Sequence, residues 1–276
     1  SMKLDYDEIG SWSEIKLEIV RKYAAAYSTI IAKQPSIRKH IYVDAFAGPG
    51  VHISKTTGDF VLGSPLNALR IGPPFKEFHF IDVDGKRANQ LKDLAGNRSD
   101  VFTYEGDCNE ILPKKIFPRA QYSNYARALC LLDPYNIDLS WEVVKTAGQM
   151  KSIEIFLNFM IMDANMNVLR HDPERADPRQ VARMNRFWGD ESWRNAAYDT
   201  SGNLFGWEEK SSNEQLVQAY RERLLTVAGF GYVPDPLPMR NSKGATIYYL
   251  FFASPKATGE KIVEDIFTKY RGQGAG

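Results

Sequence analysis

The chain has 276 residues, 43% of them hydrophobic, so it can bury a sizeable core. Its 35 Lys and Arg residues almost balance 34 Asp and Glu residues, and the net charge of +1 excludes a general attraction to polyanions. Two cysteines are too few for a disulfide framework, and the four histidines have no metal-ligand spacing, so no metal site is expected. Without a long apolar run, the sequence predicts a cytoplasmic protein with no membrane span.

Helices and strands alternate along the first part of the chain. A helix is predicted over 11–34, starting with Ser11 and Glu14 as a capping box and ending before Pro35. Short apolar runs bounded by turn residues predict buried strands within 40–50, 77–84, 101–107, 126–135 and 153–161. Helices are predicted between them at 65–71, 85–96 and 141–150. This alternation predicts an α/β fold with a mostly parallel sheet.

The pattern changes in the second half of the chain. Residues 163–212 are polar, rich in Arg and Trp, and longer than an ordinary connection, which predicts a helical insertion. An amphipathic helix over 213–229 and two strands joined by a turn at 241–244 predict a C-terminal antiparallel hairpin in the same sheet. No repeat, linker or composition break divides the sequence. We therefore predict a single domain whose core sheet lies within 40–162 and 213–270.

Acidic residues stand where four of the predicted strands end. They are Asp44, Asp82, Asp107 and Asp133. The first is followed by Gly48 and Gly50, and glycine lets a ligand approach the backbone closely. The alternatives are an ordinary tight turn at the glycines and helix capping by acids such as Asp84. Because the carboxyl ends of parallel strands share one sheet edge, four acids there favour a nucleoside or nucleotide site. The G-x-G-x-x-G pattern of dinucleotide sites is absent.

Several motifs resemble those of class I S-adenosylmethionine-dependent methyltransferases in order and spacing. They are VDAFAGPG, FIDVD, EGDCNEIL and LLDPY. With GSWSEIKLEIVRKY, GSPLNAL and LDPYNIDLSW they resemble more closely the three-Cys-motif partner (TcmP) family, over about residues 10–160. The resemblance implies a Rossmann-like class I methyltransferase fold, S-adenosylmethionine as cofactor and a neighbouring three-Cys-motif protein as partner.

The resemblance also implies cofactor-binding residues. The methionine part of the cofactor is expected near Asp44, Phe46, Gly48 and Gly50. The ribose hydroxyls are expected on Asp82, and the adenine amino group on Asp107 with Cys108 or Asn109 alongside. The residue chemistry agrees, because a cationic sulfonium nucleoside without phosphate suits a region rich in acids and poor in lysine.

Asp133, Pro134 and Tyr135 are similar to the Asn/Asp-Pro-Pro-aromatic motif of methyltransferases that act on exocyclic base amines. There the acid and a proline carbonyl accept hydrogen bonds from the amine, and the aromatic ring stacks the base. One proline is missing here, so a simple Pro turn with Asp133 contacting the cofactor is an equal alternative. A further alternative is ribose 2′-oxygen methylation by a Lys-Asp-Lys-Glu tetrad. Lys16 and Asp133 would supply two members, but NFMIMDANMN offers no second lysine.

The insertion is the predicted substrate surface. Asp177 and Pro178 start a helix on which Arg179, Arg183 and Arg186 share one face. Such arginines can bind phosphate, and the alternative is a solvated face paired with nearby acids. Core packing is predicted for Trp188, Trp193, Trp207, Met160, Met162 and Met166.

The leading hypothesis is a methyltransferase acting on nucleic acid, RNA or DNA, with a base amine favoured over a ribose oxygen as methyl acceptor. A catalytically silent subunit that binds a three-Cys-motif protein is the alternative. The intact acids favour the first hypothesis, and the incomplete Asp-Pro-Tyr motif keeps the second open.

Overall fold

The computed structural model describes residues 7–199, 209–210 and 212–271. Its strands are β1 (Asp7–Ile9), β2 (Lys39–Asp44), β3 (Val51–Ser54), β4 (Phe60–Leu62), β5 (Glu77–Asp82), β6 (Val101–Glu105), β7 (Ala126–Leu132), β8 (Ile153–Phe159), β9 (Tyr198–Asp199), β10 (Glu209–Lys210), β11 (Leu237–Arg240) and β12 (Thr246–Ala253). Its α-helices are α1 (Ser11–Ala32), α2 (Ser64–Leu69), α3 (Gly85–Ala95), α4 (Cys108–Ile111), α5 (Trp141–Met150), α6 (Ile161–Asn167), α7 (Pro178–Trp188), α8 (Trp193–Ala197), α9 (Asn213–Thr226) and α10 (Glu260–Tyr270). None of these helices is both long and apolar enough to cross a membrane.

A seven-stranded sheet organises the molecule, with strand order β11-β12-β8-β7-β2-β5-β6. Strands β2, β5, β6, β7 and β8 are parallel, whereas β12 runs antiparallel to β8 and β11 antiparallel to β12. This confirms the predicted sheet and its C-terminal antiparallel hairpin. The chain builds outward from β2 through β5 to β6, then returns to β7 on the other side of β2. In open α/β sheets, ligands bind beside such a reversal, at the carboxyl ends of the strands.

Both faces of the sheet are covered by helices, which explains the apolar strand sequences. Along β2, Ile41 and Val43 face one core layer with α5 and α9, while Tyr42 faces the other with α1 and α10. Each of these three residues is at most 1% exposed. The alternation follows from the two-residue side-chain period of a strand.

One local prediction was wrong, and one small sheet was not predicted. The capping box at Ser11 is not formed, because Ser11 already lies inside α1 and Gly10 is the N-cap. The carbonyl of Gly10 accepts hydrogen bonds from the N–H groups of Ser13 and Glu14. A second sheet was also missed: β3 pairs with β4 as a hairpin and with β1 in parallel, directly after the glycine turn.

The described part of the insertion is mostly helical, as predicted: it contains the end of α6, then α7 and α8, together with the short antiparallel pair β9 and β10. Trp188 and Trp193 are each 1% exposed, so their core assignment is confirmed. Phe187 on α7 packs against Phe159 of β8, with ring centres 4.8 Å apart, so the helix lies against the sheet. Met166 is 65% exposed, and its predicted packing role is wrong. Trp207 lies outside the described residues.

Candidate active site

A cleft of about 470 Å³ opens at the carboxyl edge of the sheet, beside the reversal between β2 and β7. Its walls are the first turns of α1, the loops after β2 and β7, and the facing parts of β8 and β12. The cleft brings together six residues that the sequence assigned to one site. They are Lys16, Phe46, Gly48, Asp133, Pro134 and Tyr135.

The loop after β2 is joined to the end of β5 by Asp82. One carboxylate oxygen of Asp82 accepts the N–H of Gly48 at 2.8 Å, and the other accepts the N–H of Asp84 at 2.8 Å. Gly48 has a φ of +63°, a backbone conformation that side chains disfavour, so glycine is required there. Each carboxylate oxygen can accept a second hydrogen bond, so Asp82 retains the capacity to accept from hydroxyl groups.

Asp44 supports this loop from behind. The carboxylate of Asp44 is fully buried and accepts hydrogen bonds from the Ser64 hydroxyl and from the N–H of Phe46. Burial raises the pKa of Asp44 to about 7, although the Ser64 hydrogen bond acts in the opposite direction. Asp44 is not among the cleft-lining residues, so its position indicates support of the loop rather than direct contact with a ligand.

Gly50 is explained by packing between neighbouring helices. A Cβ atom at this position would lie 2.6 Å from Leu94 Cδ1 and 3.3 Å from Leu66. Either contact would force a side chain to move. Packing alone thus requires a glycine at this position, and the cofactor contact of Gly50 stays a prediction.

Lys16, Asp133 and Asn158 form a chain of polar contacts at the base of the cleft. Lys16 Nζ contacts Asp133 Oδ2, and Asn158 Nδ2 donates to Asp133 Oδ1. The Lys16 side chain is 9% exposed, and Asn158 is 2% exposed. Asp133 is thus held by a donor on each of its oxygens. A charge removed from water in this way is stabilised by the opposite charge and by the amide donor.

Tyr135 leans over the glycine loop. Its ring meets Phe46 edge to face, with centres 6.4 Å apart, and its hydroxyl accepts a hydrogen bond from Arg87 Nη1 at 3.0 Å. A Cβ atom on Gly48 would lie 3.7 Å from that hydroxyl. Tyr135 therefore connects its own loop, the one after β7, to the glycine loop. Pro134, the residue before it, is buried.

The end of β6 differs in part from the prediction. Asp107 is exposed and accepts the N–H of Asn109, which makes it the N-cap of α4. The Asn109 side chain binds the backbone of Asp138 and Ser140, so it is committed to the fold. Cys108 packs in the core, where burial raises the pKa of its thiol to about 12. The side chains of Cys108 and Asn109 are therefore occupied structurally, and the helix-cap alternative holds for Asp84 as well.

The three arginines of α7 do not act as one surface. Arg183 forms ion pairs with Asp163 at 2.8 Å and with Asp138 at 3.1 Å, whereas Arg179 and Arg186 are exposed. Helical spacing places all three arginines on one side of α7, but the side chain of Arg183 reaches Asp163, a buried acid of α6. Among the described residues of 163–212, none lines the cleft.

Sequence reasoning missed much of the cleft. The missed residues are Trp12, Ser13, Leu17, Ala47, Pro49, His52, Ser64, Asn158, Met160, Ile247 and Tyr248. A signal existed for Asn158, because it is a lone amide in the apolar run IFLNFM. The described residues contain no group of three His, Cys, Asp or Glu side chains placed to hold a metal ion.

No protein-family model and no curated protein matches this chain. A solved structure from Legionella pneumophila strain Philadelphia 1 is 10% identical over 94% of this chain and 93% of that one, with a TM-score of 0.48. A Thermobifida fusca protein provisionally described as a methyltransferase is 11% identical over 89% and 82%, with a TM-score of 0.47. The plantazolicin methyltransferase BamL, solved with SAH, is 11% identical over 89% and 88%, with a TM-score of 0.37.

All three TM-scores lie below 0.5, and these similarities carry no argument. The fold is assigned from the strand order of the chain itself. A parallel sheet reversed at its first core strand, extended by an antiparallel hairpin and carrying a glycine loop at the reversal, is the Rossmann-like fold of class I methyltransferases. The chain has this fold. Membership of the three-Cys-motif partner family stays a prediction.

Proposed function

We propose that the protein is an S-adenosylmethionine-dependent methyltransferase. The observation that carries this proposal is the Asp82–Gly48 hydrogen bond, which holds a carboxylate against a positive-φ glycine beside the strand reversal. Lys16 is the one Lys or Arg among the described residues that line the cleft, and Asp133 pairs with it. Two carboxylates and one lysine that is already paired suit a cationic nucleoside and offer little to a phosphate.

The residues present fit this cofactor, which supplies an electrophilic methyl group when bound. Asp82 would accept hydrogen bonds from the ribose hydroxyls, and Asp107 from the adenine amino group. Phe46 and the backbone of Gly48 would contact the methionine part, while Asp44 holds their loop in place. Phe46 and Gly48 line the cleft, whereas Asp82 at the end of β5 and Asp107 after β6 are not among its lining residues, so the rest of the cleft is left for the methyl acceptor.

We infer that the acceptor belongs to nucleic acid, with a base amine favoured over a ribose oxygen. Rings of Trp12, Phe46, Tyr135 and Tyr248 line the cleft, and aromatic side chains hold unstacked bases. An amine needs its lone pair aimed at the methyl group and no strong base, which agrees with a Lys16 that is already paired. The missing second lysine of the tetrad disfavours ribose methylation.

Changing Asp82 to Ala tests the cofactor assignment. Loss of charge-assisted hydrogen bonds to two hydroxyls is expected to weaken S-adenosylmethionine binding at least about tenfold in calorimetry. Asp84→Ala is the matched control, since Asp84 caps α3 on the surface two residues away. Unchanged affinity in Asp82→Ala, or an equal loss in both variants, would contradict the assignment.

Methyl transfer from labelled cofactor to total RNA and total DNA tests the activity itself. Incorporation into either one supports the nucleic-acid proposal. Cofactor binding without incorporation into RNA or DNA would instead favour the silent-subunit alternative or another acceptor.

A further inference from the structure

Asn158 occupies an unusual position at the base of the cleft. It lies on β8, is 2% exposed and lines the cleft. Its Nδ2 donates to Asp133 Oδ1. A carboxylate can only accept hydrogen bonds, so the amide nitrogen must face Asp133 and the orientation of the amide is fixed. Its Oδ1 therefore points away from Asp133.

That oxygen has no hydrogen-bond partner within the described part of the chain. Most buried side-chain acceptors are hydrogen-bonded, because leaving one unpaired destabilises the folded protein. Such a group calls for an explanation, and Asn158, unlike the equally unpartnered Asn165, lines the cleft, where a ligand can supply the missing donor. Asp133 already has a donor on each oxygen, from Lys16 and from Asn158, so of these two side chains only Asn158 has an acceptor atom with no hydrogen bond at all.

The surroundings of Asn158 restrict what can bind there. Phe46, Trp12 and Tyr248 supply aromatic walls, and Pro134 adds an apolar one. Lys16 Nζ lies 5.9 Å from the centre of the Tyr248 ring, so the local positive charge is held by a ring and a carboxylate. A flat, neutral group that donates one N–H satisfies both the aromatic walls and the unpaired oxygen. A phosphate or a carboxylate, which only accept hydrogen bonds, would not satisfy that oxygen.

We propose that Asn158 Oδ1 is the specificity-determining acceptor for the methyl-accepting group, and that this group is a planar nitrogen heterocycle bearing an amine N–H. The proposal rests on the proposed function and refines it. Asp133 becomes a positioning residue that fixes the Asn158 amide, in place of its predicted role as direct acceptor of the amine. Lys16 in turn holds Asp133.

The test uses two small probes, 9-methyladenine and 9-methylpurine (below, adenine and purine), which have no ring N–H and differ by one exocyclic amine. Saturating SAH occupies the proposed cofactor-binding residues, so neither probe can bind there. Ligand-detected NMR titration then gives the dissociation constant of each probe. The wild-type protein is expected to bind adenine about five- to tenfold more tightly than purine, because purine leaves the Asn158 oxygen unpaired. Equal affinities for the two probes would overturn the proposal.

Two variants locate the preference. Asn158→Leu removes the amide at similar volume, and Asn158→Lys keeps a donor for Asp133 but offers no acceptor. Both are expected to bring the purine-to-adenine ratio of dissociation constants close to one. A ratio that stays at the wild-type value in Asn158→Leu would overturn the proposal.

Asn165→Leu is the matched control. Asn165 Oδ1 is also buried and unpartnered among the described residues, its Nδ2 donates to Asn213, and it does not line the cleft. This variant should keep the wild-type purine-to-adenine ratio of dissociation constants. A ratio close to one in this variant would show that the ratio responds to destabilisation of the fold and not to the Asn158 oxygen. Trp12→Ala should weaken both probes together, which places them in the cleft, and unchanged binding of both would overturn that placement.

Calorimetry with SAH separates the two levels of the argument. If SAH does not bind the wild-type protein, the proposed function fails, and the probe titrations without SAH still decide the role of Asn158. If SAH binds and the adenine preference is missing, only the role of Asn158 fails.

Discussion

At the scale of single residues, the buried carboxyl group of Asp44 at the sheet edge has a raised pKa. Burial raises its pKa to about 7, well above the ordinary value of 3.8. Between these two values the folded protein keeps a proton that the unfolded chain releases. Folding therefore takes up a proton in this range, and the contribution of Asp44 to stability falls as pH rises toward 7.

Asp44→Asn tests this behaviour. Asn has a similar shape and does not titrate: its oxygen can accept the N–H of Phe46, and its NH2 group can donate to the Ser64 hydroxyl oxygen. Relative to the wild type, the free energy of unfolding of the variant should increase from pH 5 to pH 8, by on the order of 2 to 3 kcal/mol. Urea unfolding at the two pH values measures the difference. Glu154, whose pKa burial also raises to about 7, is common to both proteins and cancels. A difference that does not vary with pH would show that Asp44 is ionised throughout.

At the scale of elements, one of the three arginines of α7 adds an ion pair to the apolar packing of this helix against the sheet. Asp163 is 8% exposed and accepts hydrogen bonds from the N–H of Ile137 and from Arg183. Burial alone would raise the pKa of Asp163, but the hydrogen bonds from Arg183 and Ile137 outweigh it and lower the pKa. Arg183 therefore stabilises the loop after β7 together with α6 and α7.

Arg183→Gln should lower the free energy of unfolding by on the order of 1 to 3 kcal/mol, because Asp163 would keep its charge without its partner. Arg179→Gln and Arg186→Gln are the controls on the same helix, and each should change it by less than about 0.5 kcal/mol. Chemical unfolding at neutral pH measures all three. Equal effects of the three substitutions would mean that the contact with Asp163 contributes nothing.

The elements that could be predicted are those whose signal is local. The inner strands β2, β5, β7 and β8 are apolar runs that are almost fully buried, and the parallel order placed Asp44, Asp82, Asp107 and Asp133 at one edge. The β3–β4 hairpin carries no such signal, since its strands are three and four residues long and only partly buried. Its partner β1 comes from the other side of α1, so its pairing depends on contacts distant in sequence.

Apart from Lys16 on α1, the cleft residues that were predicted are those that stand just after a strand end. Gly48 and Asp82 follow from the order of turns and strands. The roles of Asn158 and Arg183 depend instead on partners distant in sequence, Asp133 and Asp163, which no spacing rule connects. The lone Asn158 in an apolar strand was a usable signal, because a buried amide needs partners.

At the scale of the whole molecule, the two edges of the sheet have different tasks. The carboxyl edge holds the cleft, whereas the opposite edge holds an ion cluster around Glu77 at the start of β5. Lys39 Nζ lies 2.9 Å and Arg119 Nε 2.7 Å from the Glu77 carboxylate, and His79 Nε2 lies 2.9 Å from it. This arrangement separates a stabilising cluster from the residues proposed to bind ligands.

The cluster predicts how the protein responds to acid. Burial would raise the pKa of Glu77, but hydrogen bonds from Arg119, Lys39 and His79 outweigh it and lower the pKa to about 2. The unfolded chain takes up a proton near the ordinary value of 4.5, while the folded protein stays ionised to a lower pH. The stabilisation by Glu77 is therefore complete above about pH 4.5 and is lost as the pH falls toward 2.

Glu77→Gln should consequently lower the free energy of unfolding at pH 7 by on the order of 1 to 2 kcal/mol, a range reduced by solvent around Arg119. The difference from the wild type should shrink as the pH is lowered from 5 to 3, and urea unfolding at each pH measures it. Glu110→Gln is the control, since its ion pair with Lys114 is exposed and should leave stability unchanged at every pH. Cofactor affinity should be the same in all three proteins, because Glu77 lies at the edge opposite the cleft. A Glu77→Gln difference that persists unchanged at pH 3, or an altered cofactor affinity, would refute the separation of the two edges.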